Sequence, residues 1–327
     1  MQPNRLFARY HPSGNPSALS QLATELLERQ KEQWPQLGEG YRALAHLRVR
    51  ELQLDGFSVR VQCNPQRMAS SGARVDARSI QSRPCFLCLE NLPVAQQGVL
   101  YREQFLLLCN PAPIFAQHYT ISHLQHRPQA LAGQLALLLQ LAKDLSPLFS
   151  VFYNGPQCGA SAPDHLHFQA CPARAIPIET QIHQPARRVL VKHVLGVAVH
   201  QIQNLGREIL LLAGIEQEAM AQAFQRVLAA LDQIAPGDEE PMLNVICSFQ
   251  DNLYHVLVFP RRKHRPAVFF QDEKERILLS PAAVDMGGLI ITPREEDFVR
   301  VEAGLIAAIY REVSLPPETT RRIIALL

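Results

Sequence analysis

From His165 to Ala170 the sequence His-Leu-His-Phe-Gln-Ala alternates polar and apolar side chains, a period of two that a strand satisfies and a helix does not. On such a strand His165, His167 and Gln169 stand on one face at intervals of about 6.6 Å. Leu166, Phe168 and Ala170 point the other way and can enter a core. The residues before it, Asn154-Gly155-Pro156-Gln157-Cys158-Gly159-Ala160-Ser161-Ala162-Pro163-Asp164, form a small, glycine-bearing loop. Backbone amides of such a loop can close on an anion, and Asn154 and Ser161 add neutral donors. A phosphate held there lies beside a column of imidazoles. A neutral imidazole attacks phosphorus through one ring nitrogen, and the N–P bond it forms remains reactive. The bland alternative is a pair of satisfied core histidines. The glutamine in alternation and the loop ahead of it favour a functional site.

The rest of the chain is read from its hydrophobic period. Helical spacing runs from Ser17 to Gln33, with Ser17 or Ser20 as the cap. Leu47 to Gln62 alternates around an Asp55-Gly56 turn, and a polar loop from Asn64 to Arg83 follows. Val99–Cys109 and Ile114–Ser122 read as strands, Pro128–Leu148 as a long amphipathic helix, and Phe149–Tyr153 and Asp164–Cys171 as strands flanking the glycine loop. The second half repeats the plan: a helix over Glu216–Ile234, strands over Leu243–Phe249 and Tyr254–Pro260, and a final helix over Glu302–Val313. The expected fold is α+β, two tandem domains, each an antiparallel sheet with one long helix, with a join between residues 175 and 200. We take 1–175 as the catalytic domain and 176–327 as its degenerate copy.

Composition excludes several functions. With 32 Lys plus Arg against 30 Asp plus Glu among 327 residues, the net charge is +2, too balanced for a nucleic-acid footprint. Trp34 is the one tryptophan, so no stacking platform of several indoles is expected. No run approaches the roughly 20 apolar residues of a membrane span, and Met1-Gln2-Pro3-Asn4-Arg5 lacks a signal-peptide core. Seven cysteines, two of them spaced Cys85-Phe86-Leu87-Cys88, suggest metal binding in a reducing cytoplasm rather than a disulfide frame.

The segment Asn154 to Gln169 resembles the histidine-triad superfamily, in particular its transferase branch of galactose-1-phosphate uridylyltransferases, diadenosine tetraphosphate phosphorylases and GDP-L-galactose phosphorylases. The resemblance covers about 64–172, and 242–298 more diffusely. It implies two tandem histidine-triad-like domains and a nucleotidyltransferase or phosphorylase acting on a nucleotide sugar or dinucleoside polyphosphate, with phosphate or a sugar phosphate as acceptor. It makes His167 the nucleophile that becomes nucleotidylated and Gln169 a hydrogen-bond donor to the transferred phosphate. The hydrolases of the superfamily carry a third histidine where this chain has Gln169. Glutamine donates a hydrogen bond but cannot shuttle a proton, so transfer is favoured over hydrolysis. A nucleotide-conjugate hydrolase and a non-catalytic, zinc-clamped nucleotide-binding module are the alternatives, and a homodimer is expected by analogy.

Cys-x-x-Cys is half of a tetrahedral zinc site. Uridylyltransferases of the branch complete it with the first histidine of the pair and a histidine between the motifs. Here that implies a structural zinc on Cys85, Cys88, His165 and one of His118, His123 or His126. His126 is favoured because Ser122–His126 ends a strand just before the helix, where the family places its ligand. The resemblance further implies that Arg67 and Arg83 grip nucleotide phosphates, through guanidinium forks that match phosphate oxygens. It also implies that Lys263 and Arg265, within Arg261-Arg262-Lys263-His264-Arg265, contact the acceptor phosphate. Gly155, Gly159, Asn154 and Ser161 are assigned to the anion cradle. His255 stands where the second half should carry its histidine pair, but Val256-Leu257-Val258-Phe259 follows and the chemistry is lost there. Ser280–Gly288 resembles a segment that ends these phosphorylases, its glycines serving either close substrate approach or a turn.

Overall fold

The computed structural model describes residues 5–12, 18–237 and 240–327. Ser17 and the residues Met1, Gln2, Pro3 and Asn4 lie outside the described residues. Among the described residues fourteen strands are formed: β1 (Leu6–Tyr10), β2 (Arg48–Leu54), β3 (Phe57–Cys63), β4 (Gly98–Tyr101), β5 (Phe105–Cys109), β6 (Tyr119–His123), β7 (Phe149–Asn154), β8 (His167–Pro172), β9 (Arg188–Val194), β10 (Val197–Ile202), β11 (Ile209–Gly214), β12 (Leu243–Gln250), β13 (Leu253–Pro260) and β14 (Leu289–Thr292).

The duplication is real. In the first half β4, β5 and β6 are followed by the helix Leu135–Asp144, then β7 and β8. In the second, β9, β10 and β11 are followed by the helix Gln217–Ile234, then β12 and β13. The halves share one 11-stranded sheet of order β1-β4-β5-β6-β8-β7-β12-β13-β11-β10-β9, whose two ends mirror each other. They join where β7 pairs antiparallel with β12, from Asn154 opposite Asn244 to Val151 opposite Cys247. The architecture is thus α+β with two tandem halves, as expected.

Alternation sorts the side chains between the two faces. Tyr119, Val151, Phe168, Val245 and Val256 pack toward the helices in one core. Phe152, Cys171, Ile246 and Leu257 face a second core with Val61 and Ile290. A smaller sheet, β14-β3-β2, covers that second face, and its parallel β14–β3 pairing, Leu289 opposite Arg60, returns the C-terminal part onto the N-terminal hairpin. Over the first half the small sheet does not extend, and the cluster Leu92, Leu106 and Leu108 packs separately from the second core. Phe168 is fully buried and anchors β8; truncation of such a ring costs about 3–5 kcal/mol.

Several elements differ from the sequence expectation. The helix expected over Pro128–Leu148 is confined to Leu135–Asp144, because Gly133 at φ +74° breaks the right-handed path ahead of it. Val99–Cys109 is two strands separated by Arg102 and Glu103, both at positive φ. Of Ile114–Ser122 only the part from Tyr119 pairs as β6. The helix Ala303–Val313 is followed by another, Pro317–Leu326, and Ser20 lies within the first helix, Ala18–Gln33, rather than capping it. No helix among the described residues is long and apolar enough to cross a membrane.

Candidate active site

A cavity of about 600 Å³ lies on the open face of β5, β6 and β8. Its floor carries Leu108, Thr120, His167 and Gln169, and its walls come from the loop after β7, from residues 67–87 and from Ser280–Asp285. Its lining combines apolar Leu92, Leu108 and Phe86 with polar Arg67, Ser70, Ser280 and Asp285.

His167 opens the strand at the centre of this floor. Gln129, fully buried, clamps its backbone from both sides: the His167 amide donates to Gln129 Oε1 at 2.8 Å, and Gln129 Nε2 donates to the carbonyls of His167 at 3.0 Å and Asn154 at 2.9 Å. The ring tautomer is also set. His167 Nδ1 lies 2.8 Å from the His165 carbonyl, which can only accept, so Nδ1 carries the proton and Nε2 the lone pair. Burial drives the imidazole down to about 4, so it is neutral near pH 7.

Other polar groups line the same cavity. Gln169 Oε1 is 3.0 Å from His118 Nε2. Asn154 Oδ1 accepts from Asn244 Nδ2 at 2.9 Å and from the Ala283 amide at 2.7 Å. Both amide oxygens are occupied, and the two –NH₂ ends remain for the cavity that both residues line. Among the described residues the backbone amides of Gly159, Ala160 and Ser161 have no protein acceptor. Gly159 sits at φ +94°, and a Cβ there would fall 2.5 Å from that of Ala282, so only glycine lets the loop pass. Gly155 does not join the cradle. Its amide donates to the Leu243 carbonyl at 3.1 Å, and its missing side chain serves that backbone approach instead.

Arg83 donates to Asp164 Oδ1 at 2.9 Å and to the Ser161 carbonyl at 3.3 Å, while its Nη1 is buried without a partner. Arg67 donates to the Ala112 carbonyl at 2.9 Å; burial lowers it to about 10, which leaves it charged. The structure does not bring Lys263 or Arg265 to the cavity wall. Lys263 pairs with Glu312 at 2.9 Å, and Arg265 stacks on Phe269 while donating to Ser280 Oγ and the Ala73 carbonyl. Arg265 thus stands behind the cavity-lining Ser280 and Ala73, and Lys263 lies beside Glu312. The first member of the cationic run, Arg261, is buried and donates to Asn244 Oδ1, so it reaches Asn154 indirectly. Of Ser280–Gly288, Ser280, Ala282, Val284 and Asp285 line the cavity, whereas Gly287 and Gly288 make a turn. Burial raises Asp285 to about 6.

Beside the cavity, Cys85, Cys88, His126 and His165 bring four ligand atoms within 4.8 Å of one another. Cys85 Sγ and Cys88 Sγ lie 3.3 and 3.6 Å from His165 Nδ1, and Cys88 Sγ lies 3.3 Å from His126 Nδ1. Tetrahedral bonds of ordinary length to sulfur and nitrogen put such atoms about 3.6 Å apart, so this S₂N₂ set can bind a metal. His165 Nε2 faces the His123 carbonyl at 2.7 Å, which places its proton there and frees Nδ1 for the cluster. The other two candidates lie outside this cluster: His118 uses both ring nitrogens elsewhere, and His123 Nδ1 faces Gln125. Asp164 links the two sites, holding Arg83 on one side and approaching His126 Nε2 at 3.8 Å on the other. Gln129 and Thr120 carry no local signal in the sequence, and His118, which the sequence offers only as a metal ligand, faces Gln169 instead.

Two family models match the chain, Domain of unknown function (DUF4922) over 26–172 and GDPGP1-like, C-terminal domain over 181–326. No curated protein matches it in sequence. Among solved structures, yeast Ap4A phosphorylase Apa2 in complex with AMP is 16% identical, with a TM-score of 0.58 over 89% of this chain and 97% of that one. The same yeast enzyme in complex with Ap4A gives 16% identity and a TM-score of 0.52 over 87% and 97%. The chain thus shares the two-domain fold of the yeast Ap4A phosphorylase structures, and its second half is similar to the GDPGP1-like, C-terminal domain.

Proposed function

We propose that the protein is a nucleotidyltransferase of the phosphorylase kind, acting by double displacement on a dinucleoside polyphosphate or nucleotide sugar. His167 Nε2 attacks the α-phosphorus; the new N–P bond forms as the bond to the leaving phosphate oxygen breaks. Inorganic phosphate or a sugar phosphate then attacks the same phosphorus, and the N–P bond breaks to release the free imidazole. Nδ1 keeps its proton and donates it to the His165 carbonyl oxygen throughout, which keeps Nε2 aimed and stabilises the charge on the nucleotidylated ring. Gln169, Asn154 and the amides of Gly159–Ser161 supply donors where charge develops on the phosphoryl oxygens. The orphan Nη1 of Arg83 and the Arg67 guanidinium suit the flanking phosphates, and the apolar side chains of Leu92 and Leu108 in the lining suit a base.

The single observation that carries this reading is the lone pair of His167 opening onto a cavity ringed by unpaired donors. The first half, 1–175, holds the reacting residues, and 176–327 serves as a scaffold that reaches the site through Asn244 and Ser280–Asp285. A structural zinc on Cys85, Cys88, His126 and His165 would clamp β8 and the Arg83 loop together; when bound it supplies rigidity and no step of the reaction. Phosphorolysis assays with Ap4A, GDP-glucose and UDP-glucose, each with and without inorganic phosphate, test the proposal. Turnover that requires phosphate is expected. Equal turnover without it would make the protein a hydrolase, and binding without turnover would leave only a nucleotide-binding module.

A further inference from the structure

We propose that His118 is a positioning residue that fixes which end of the Gln169 amide faces the substrate. The inference rests on the function proposed above and adds a residue to it. His118 is fully buried just ahead of β6, and each of its ring nitrogens has one defined partner. The backbone amide of Ile114 donates to Nδ1 at 3.2 Å. A backbone N–H can only donate, so Nδ1 holds the lone pair and Nε2 the proton. Nε2 then donates to Gln169 Oε1 at 3.0 Å, and the –NH₂ end of Gln169 is left for the cavity. A side-chain amide has two orientations of nearly equal shape. In the wrong one, carbonyl oxygen would meet phosphoryl oxygen at the reacting centre, and the donor would be lost.

The imidazole is held firmly enough to impose this choice. Phe115 meets it edge-on at 5.7 Å, and Phe152 flanks it at 6.0 Å. Tyr41, on the helix Pro35–Ala43, donates its hydroxyl to the His118 carbonyl at 2.9 Å and accepts from the His118 amide at 3.3 Å. Burial and the neighbouring Arg67 lower the ring to about 3, so no second proton displaces the Ile114 donor. The chain of constraint therefore runs from Tyr41 and Ile114 through His118 to Gln169.

The test compares His118→Leu, which removes the donor at similar size, with His118→Gln, whose amide places an N–H near the position of Nε2. Single-turnover formation of the His167 adduct is followed with Ap4A, GDP-glucose and UDP-glucose. His118→Leu should slow adduct formation by roughly 10- to 100-fold with little change in KM, and His118→Gln should recover most of the loss. In a Gln169→Ala background His118→Leu should cost no more than about twofold, since the two act as one unit. Wild-type rates in His118→Leu, or full additivity with Gln169→Ala, would overturn the proposal. ¹⁵N spectra of the wild-type imidazoles provide a readout free of turnover and of any folding defect: Nδ1 of His118 must be the unprotonated nitrogen, and the opposite tautomer would overturn the assignment. If wild-type protein forms no adduct with any donor, it is the function proposed above that fails, and the spectra still decide how Gln169 is oriented.

Discussion

The two halves of the molecule put a buried histidine on corresponding strands, and the surroundings of each differ. His167 on β8 and His255 on β13 are both pushed down to about 4, chiefly by burial, so both are neutral imidazoles. Between β7 and β8 the chain spends residues 155–166 on a loop that carries Gly159, Ser161 and Asp164. Between β12 and β13 it turns at once through Asp251 and Asn252, at φ +52° and +58°. His255 faces His183, ring to ring at 5.6 Å, and is followed on its face by Leu257 and Phe259 of the second core. No CxxC loop packs beside it. A depressed imidazole is therefore common to both halves, and the inserted loop with its cavity and metal-type cluster is particular to one. What distinguishes the halves is the hairpin insertion rather than the histidine.

The sharpest way to break this contrast is to remove each histidine in turn. His167→Ala should lower turnover by at least about 10⁴-fold, as loss of a covalent nucleophile does, whereas His255→Ala should leave turnover within the range of a scaffold change; steady-state kinetics separate the two. The hairpins come next. Gly159→Ala forces a left-handed backbone onto alanine and a Cβ into Ala282, so a loss of about 100-fold in kcat is expected from misplacement of the cradle. Asn252→Gly, at the tight turn of the other half, should leave kcat unchanged.

Metal content gives a smaller effect on rate and a clear one on stability. Purified protein should hold one zinc per chain by mass spectrometry of metals, and Cys88→Ser should lose it, with a lower Tm and a fall in kcat of about tenfold. The smallest effect is on pH dependence. Because the folded state holds His255 near 4, below its ordinary 6.5, the unfolded chain binds the extra proton first. Stability contributed by this group is therefore complete above about pH 6.5 and is lost as pH falls toward 4, at up to about 1.4 kcal/mol per pH unit. Asp285, raised to about 6, works against it, gaining stability over part of the same window. Denaturant unfolding from pH 7 to 4.5 should show a shallower acid loss in His255→Leu than in wild type.

What the sequence made legible was local. The two-residue period of His165–Ala170 and the spacing of Cys85 and Cys88 are facts about neighbours in the chain, and they point to the strand that carries His167 and Gln169 to the cavity and to the Cys/His cluster. The duplication was visible because helix and hairpin recur in the same order. The fusion of both halves through β7 and β12 was not, since its register is set between residues some ninety positions apart, as with Asn154 and Asn244. The strands β9, β10 and β11 went unread although Leu195-Gly196 marks their first turn, at φ +53° and +83°. Ile209–Gly214 is a continuous apolar run, which does not by itself distinguish strand from helix. His118 was weighed only as a metal ligand, because the pairing of β6 with β8 is what carries its ring to Gln169. Lys263 and Arg265 show the opposite error: charge density in sequence is no guide to which side of a sheet edge a loop descends.

Mapping of a trapped covalent adduct bears most directly on the central claim. Protein mixed briefly with Ap4A or a nucleoside-diphosphate sugar in the absence of acceptor, quenched in alkali and digested, should yield a nucleotidylated peptide whose modified residue is His167. Addition of phosphate before the quench should discharge it. A modified residue elsewhere, or the same labelling in His167→Ala, would contradict the assignment.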